Sequence, residues 1–367
     1  MSTSWAASSA QDRRRSVILA VVTLAALAAL LALAGCGSSS EPSGSGGGTA
    51  ASGAVASELR LGYQLIPNGD LIVKDQKWLE TALPDTKIKW VKFDSGANVN
   101  TAMIAGSIDI ALAGSSPVAA GLSDPLRIPY KVPWIFDVIG AAESLVASNS
   151  SGITSITDLA GKTVGTPFGS TAHYSLLAAL EGSNVDPTQV KIVDLEPPDI
   201  LAAWQRGDID AAYVWNPTLA ELKKDGKVLV TSAELAKRGA PTADLAVVTT
   251  AFADKYPDAV QTWVEQENRA VELYKSDPQA ASEAVGRQLN ISANDAYLQM
   301  KDLILLDASQ QAGPGYLGTP GSPGSLADYL LRTAEFLKAQ QSVQGVPPLS
   351  DFQAALANQF AAKAAGM

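Results

Sequence analysis

The sequence predicts an α/β protein built as two similar lobes that face each other across a cleft. Three observations predict it. Short apolar runs rich in Val, Ile and aromatic residues alternate with helical periodicity from residue 59 to residue 250. One motif then recurs: Gly106-Ser107-Ile108-Asp109 enters a run ending at Ser116-Pro117, and Gly207-Asp208-Ile209-Asp210 enters a run ending at Asn216-Pro217. The copies lie 101 residues apart, too far for a solenoid repeat and suitable for two lobes, although Gly-x-Ile-Asp is also common αβ-turn chemistry. Finally, strands stop after Thr250 and only helical patterns follow.

Taken in order, the N-terminus comes first. Arg13, Arg14 and Arg15 precede an apolar run, Val17 to Ala34, interrupted only by Thr23 and ending in Leu33-Ala34-Gly35-Cys36. Charged region, apolar region and small-residue cleavage site in that order make a secretory signal. Leu-Ala-Gly-Cys resembles the bacterial lipobox, which implies removal of residues 1–35 and lipid attachment at Cys36. A membrane-spanning helix is the alternative, since 18 residues barely cross ~30 Å of hydrocarbon. Residues 36–57, rich in Gly and Ser, bury little and read as a flexible tether.

Strands are expected at Leu59–Gln64, Ile88–Phe93, Ile108–Ala113, Thr163–Phe168, Val190–Leu195, Ile209–Trp215 and Leu245–Thr250, in mainly parallel sheets. Helices are expected between them, for example Val99–Ala105, Tyr174–Leu180 and Ile200–Gln205, and later over 258–275, 278–289, 293–306, 325–341 and 350–364. The first lobe takes 58–140 and 246–367, the second 141–245, with two crossovers between them.

Composition narrows the function. Lys and Arg number 27 against 37 Asp and Glu, a formal charge of −10, which argues against a nucleic-acid partner. Cleavage after Gly35 removes three Arg and one Asp and leaves −12. One cysteine and one histidine exclude a Cys-rich metal cluster and a multi-histidine zinc centre. No metal or cofactor is expected, and no enzymatic activity.

The candidate site residues are those that the fold brings to facing strand ends. Gly114-Ser115-Ser116-Pro117 opens a helix whose free N–H groups hold an anion without Arg or Lys, though a serine there is often only a cap. Ser170 and Thr171, with His173 behind them, supply a second such turn in the other lobe. His173 serves equally as a brace for its loop. Trp215 ends a strand where an aromatic either packs or holds an alkyl chain or ammonium. Asp244 follows Ala240-Pro241-Thr242 and either neutralises a ligand cation or is a solvated turn residue. Gln64 and Asp94 close the first two strands.

Long blocks carry a resemblance: Trp90–Ser116 (WVKFDSGANVNTAMIAGSIDIALAGSS), STAHYSLLAAL from Ser170, EPPDILAAWQRGDIDAAYVW from Glu196 and KDGKVLVTSAELAKRGAPTADLAVV from Lys224. Across most of 59–265 the chain resembles the taurine, aliphatic sulfonate, nitrate and thiamine-precursor binding proteins of bacterial ABC importers, and the taurine branch most. The resemblance implies a type II periplasmic-binding fold with ligand in the interlobe cleft. It implies an extracytoplasmic monomer that delivers a small molecule to a permease and its ATPase. It also implies sulfonate contacts from Ser115, Ser116, Thr171 and His173, an ammonium contact from Asp244 and stacking by Trp215. Gln64, Asp94 and Glu143 are further contacts, Glu143 serving equally to brace a crossover. Two stretches depart from that branch, Leu65–Gly69 and Trp134–Val138, and the second adds an acidic residue, Asp137. Other ligands of the family and a sensing role are the alternatives. The pyridoxal-dependent synthases of the same fold need a Cys-rich motif that this chain lacks.

Overall fold

A computed structural model describes residues 54–367. The signal segment, Cys36 and residues 36–53 of the expected tether lie outside the described residues. No helix among the described residues is long and apolar enough to cross a membrane.

Eleven strands form two sheets: β1 (Glu58–Tyr63), β2 (Lys87–Lys92), β3 (Ile110–Gly114), β4 (Tyr130–Lys131), β5 (Ile135–Val138), β6 (Glu143–Ser148), β7 (Thr163–Thr166), β8 (Lys191–Asp194), β9 (Ala211–Trp215), β10 (Gly226–Thr231) and β11 (Ala243–Thr249). The first sheet runs β2-β1-β3-β11-β4, with β5 also on β11; the second runs β10-β6-β9-β7-β8. In each, three strands are parallel and the next is antiparallel, so the sheets are mixed rather than mainly parallel. The antiparallel member is the strand that has crossed over from the other lobe, which brings it in from the opposite end.

The duplicated motif has duplicated chemistry. Gly106 (φ +63°) and Gly207 (φ +74°) adopt the left-handed conformation that ends a helix. The aspartate three residues on then pins its strand to a parallel neighbour. Asp109 Oδ2 accepts the Arg60 N–H at 2.9 Å, and Asp210 Oδ2 accepts the Thr163 N–H at 2.8 Å.

Burial follows the pattern of each strand. β3 and nearly all of β11 are buried on both faces, which is why they read as unbroken apolar runs. β2 lies at an edge and carries Lys87, Lys89 and Lys92, charges that discourage further strand pairing. In the second lobe Leu145 and Tyr213 enter the core on one face of the sheet, and Val146 and Val214 the core on the other, the two-residue alternation of a strand.

Two expected helices are shorter or broken. The helix from Ala293 ends at Met300, because Ile304 exchanges backbone hydrogen bonds with Val138 at 3.0 and 3.1 Å. The segment 350–364 divides into Leu349–Ala355 and Gln359–Ala364, because Ala355 and Ala357 bond the backbone of Val132 instead. These helices return to the first sheet, where the Gln311 amide exchanges hydrogen bonds with both backbone groups of Ile135. The crossovers run side by side, Ile139 N–H donating to Thr242 O at 2.9 Å. β11 begins at Ala243, so Asp244 belongs to the first sheet and not to the end of the second lobe.

Candidate functional site: an interlobe cavity

Between the two sheets lies a cavity of about 420 Å³, counting the solvent-open space at its mouth. Gln64, Gly96, Gly114, Pro117 and Asp244 line it from the first lobe, and Glu143, Ser170, Thr171, Trp215 and Asn216 from the second. Ile66, Pro67, Ile139, Ala142 and Leu303 make its apolar walls.

Helix starts supply its positive character. The helices Gly96–Ile104, Ser115–Leu122 and Thr171–Gly182 each bring their first turn to the wall. First-turn N–H groups have no partner within the helix and carry the positive end of its dipole, so the convergence attracts an anion. The lobes meet closely here. A carbon added at Gly114 would lie 2.6 Å from Thr171 Cγ2, so this residue must be glycine for the wall to close.

Carboxyl groups supply the opposite character. Asp244, 6% exposed, faces the cavity, and no hydrogen bond from another described residue reaches it. Burial, then the neighbouring Asp137 and Glu143, hold its pKa well above the usual carboxylate range. Glu143 is fully buried and accepts from Thr171 Oγ1 at 2.6 Å, Ser232 Oγ at 2.8 Å and Ser175 Oγ at 3.4 Å. Burial pushes it up to about 7 against the pull of those hydroxyls. The added carbon at Gly114 would also lie 3.6 Å from Asp244 Oδ1, so the anion-attracting and cation-attracting ends are only a few bonds apart. The arrangement suits a small molecule carrying both charges.

The expected residues divide into those at the wall and those behind it. Gln64, Glu143, Ser170, Thr171, Trp215 and Asp244 line the cavity. Ser116 is buried beside it, its hydroxyl without a partner. Ser115 faces backward, its Oγ accepting from Ala243 N–H and sharing a hydrogen bond with the Tyr329 hydroxyl. Asp94 does not line the cavity: its side chain is 42% exposed and pairs with Lys92 at 3.0 Å, because β2 is the edge strand. His173 is also outside the wall. Its Nδ1 accepts from Gly169 N–H, its ring stacks on Phe168 at 4.6 Å, and burial lowers its pKa, so it braces the loop as a neutral ring. Asp137 is fully buried and does not line the cavity. Asn216 was not expected at the wall, although the repeated motif aligns Asn216-Pro217 with Ser116-Pro117. Leu303 arrives from the C-terminal helices, and nothing local in the sequence marks it.

The cleft mouth is bridged as well. Glu196 Oε1 of the second lobe accepts from Ser95 Oγ at 2.9 Å and Asn98 Nδ2 at 3.0 Å of the first.

Residues 57–283 match the family described as the substrate binding domain of the ABC-type glycine betaine transport system. The taurine-binding periplasmic protein of Escherichia coli is 38% identical over 265 residues, covering 71% of this chain and 79% of that protein. Among solved structures, the alkanesulfonate-binding protein SsuA from Xanthomonas axonopodis pv. citri bound to MOPS superposes with a TM-score of 0.66 at 21% identity, over 83% of this chain and 99% of that one. The periplasmic aliphatic sulphonate binding protein SsuA from Escherichia coli superposes with a TM-score of 0.63 at 22% identity, over 80% and 91%. The two-lobed fold expected from the duplicated motif is thus the fold of these proteins, and the chain belongs to the family of substrate-binding proteins of ABC-type transport systems.

Proposed function

We propose that this protein is the extracytoplasmic, lipid-anchored binding component of an ABC importer, that it takes taurine or a closely similar small aminosulfonate, and that it works as a monomer handing ligand to a permease and its ATPase without converting it chemically. The carrying observation is the meeting of three helix starts with the unpaired Asp244 in one small cavity. A sulfonate sits against the helix starts and the Ser116 hydroxyl, an ammonium sits against Asp244, and Trp215 covers the chain between them. The taurine-binding relative supports the same reading.

Closure follows from the same contacts. Ligand touching both lobes binds the closed arrangement better than the open one, so the population shifts toward the state a permease reads. The lipid on Cys36 keeps the protein at the membrane, two acyl chains being enough for stable anchoring.

Parallel calorimetric titration with taurine, methanesulfonate, sulfate and a thiamine-precursor pyrimidine tests the ligand. Taurine is expected to bind tightest. A tighter pyrimidine or plain anion would overturn the assignment while leaving the family untouched.

A further inference from the structure

Asp137 and Asp244 stand directly opposite each other on the antiparallel strands β5 and β11. Side chains of such a pair leave the same face with their Cβ atoms about 5 Å apart. Asp244 reaches the cavity; Asp137 is covered by the turn that carries Ile66 and Pro67 into the wall. Asn68, the last residue of that turn, donates from Nδ2 to Asp137 Oδ2 at 3.1 Å. The other carboxyl oxygen, Oδ1, is buried with no partner. Hence the two stretches that depart from the taurine branch, Leu65–Gly69 and Trp134–Val138, meet at one hydrogen bond directly behind the proposed cation contact.

We propose that Asp137 is a specificity-determining residue: it and Asp244 carry one proton between them when no cation faces them, and a ligand with a cationic head displaces that proton to solvent whereas a plain sulfonate leaves it in place. The proposal rests on the reading of the ligand as an aminosulfonate.

The surroundings force the sharing. The charged groups acting on this pair are all acidic: Glu143 on β6, Asp70 on the helix Gly69–Gln76, and the partners themselves. Lys74 acts on Asp70 and not on the pair, and Glu267 on the helix Pro257–Ser276 adds a further buried carboxyl beside Asp70. Two adjacent buried carboxylates with no cation beside them do not both ionise readily. Burial accordingly pushes Asp137 up to about 7. An arriving ammonium supplies the missing charge, and the proton leaves. The affinity for an aminosulfonate therefore rises with pH near neutrality, by up to ~10-fold per unit for one proton released, while that for a plain sulfonate does not. The pH of the medium around the protein then sets which sulfonate the site prefers.

Calorimetry of the intact protein with taurine and with methanesulfonate, at pH 6, 7 and 8 and in phosphate and Tris buffers, counts the protons. Taurine is expected to release close to one proton at pH 6 and methanesulfonate none, and Asp137→Asn, which removes the largest charge acting on Asp244 but not its burial, is expected to reduce the release and shift the pH dependence to lower pH. Infrared difference spectra of the unmutated protein supply a second readout, independent of whether the variant folds: the protonated-carboxyl absorption should fall by about one group on adding taurine and stay unchanged with methanesulfonate. Taurine binding without proton release, or with its carboxyl band intact, overturns the inference alone. No binding of taurine at any pH overturns the ligand reading beneath it, and the inference with it.

Discussion

Glu143 and Asp244 are acidic residues on the wall of one cavity, one from each lobe, and they are held in opposite ways. Three hydroxyls converge on Glu143, from Thr171, Ser175 and Ser232, and tie β6 to two helices of the second lobe. Asp244 has no such donors, and its nearest charged neighbour is another carboxyl. A carboxyl whose hydrogen bonds are already made is part of the scaffold, whereas one left without them is completed by whatever enters. Burial and residue type alone do not separate the two roles. The donor set does.

The largest effect that can break this contrast is expected from Asp244→Ala. Truncating one side of a desolvated charge pair costs about 2–5 kcal/mol, so taurine affinity should fall at least ~30-fold while methanesulfonate changes little. Equal losses for both ligands, read by titration of a folded variant, would contradict the division. Glu143→Gln comes next and should act on stability rather than selectivity: one acceptor is lost among three donors, worth about 1–3 kcal/mol of unfolding free energy, measurable by urea denaturation. If it changed ligand preference as Asp244→Ala does, the scaffold role would be wrong.

A pH series sharpens the same contrast. Asp137 ionises near 3.8 in an exposed setting but at about 7 when folded. A raised carboxyl binds more protons folded than unfolded between those values, so its contribution to stability is intact at low pH and is lost as pH rises through the folded value. Without ligand, the melting temperature of Asp137→Asn should therefore gain on that of the unmutated protein from pH 5 to pH 8. A constant difference would remove the premise. The smallest effect belongs to Glu196, an intermediate case with one oxygen partnered across the cleft mouth and the other buried without a partner. Glu196→Ala should speed taurine dissociation several-fold in stopped-flow measurements, with the association rate nearly unchanged.

Much of the fold was legible because its central strands announce themselves. The runs at β3, β9 and β11 are apolar and β-branched or alanine-rich, β1 buries Leu59 and Leu61 on either side of Arg60, and each lies within two residues of its expected place. β5 and β6 escaped notice for physical reasons. Asp137 interrupts the first, and Ser144 with Glu143 polarises the second; Asp137 and Glu143 are buried at the site, where tertiary context overrides propensity, and Ser144 satisfies its hydroxyl on the Ala141 carbonyl. The site was legible by segment and less so by side chain. Neighbouring residues in a helical first turn point about 100° apart, so Ser115 and Ser116 look alike in sequence but face different partners. Similarly, His173 is one turn residue too far along, where Phe168 captures its ring.

The position of β11 has a consequence for the order of assembly. It is the last of the strands that build either lobe's sheet, yet it fills a central place in the first, between β3 and β4, after the whole second sheet has intervened. The second lobe is one continuous stretch of chain and can acquire its contacts early, whereas the first must wait for a strand delivered from far along the sequence. Asp244 rides on that strand. The acidic end of the cavity therefore exists only in the finished molecule, and ligand, by binding that state alone, adds its free energy to the completed fold and to no partial one.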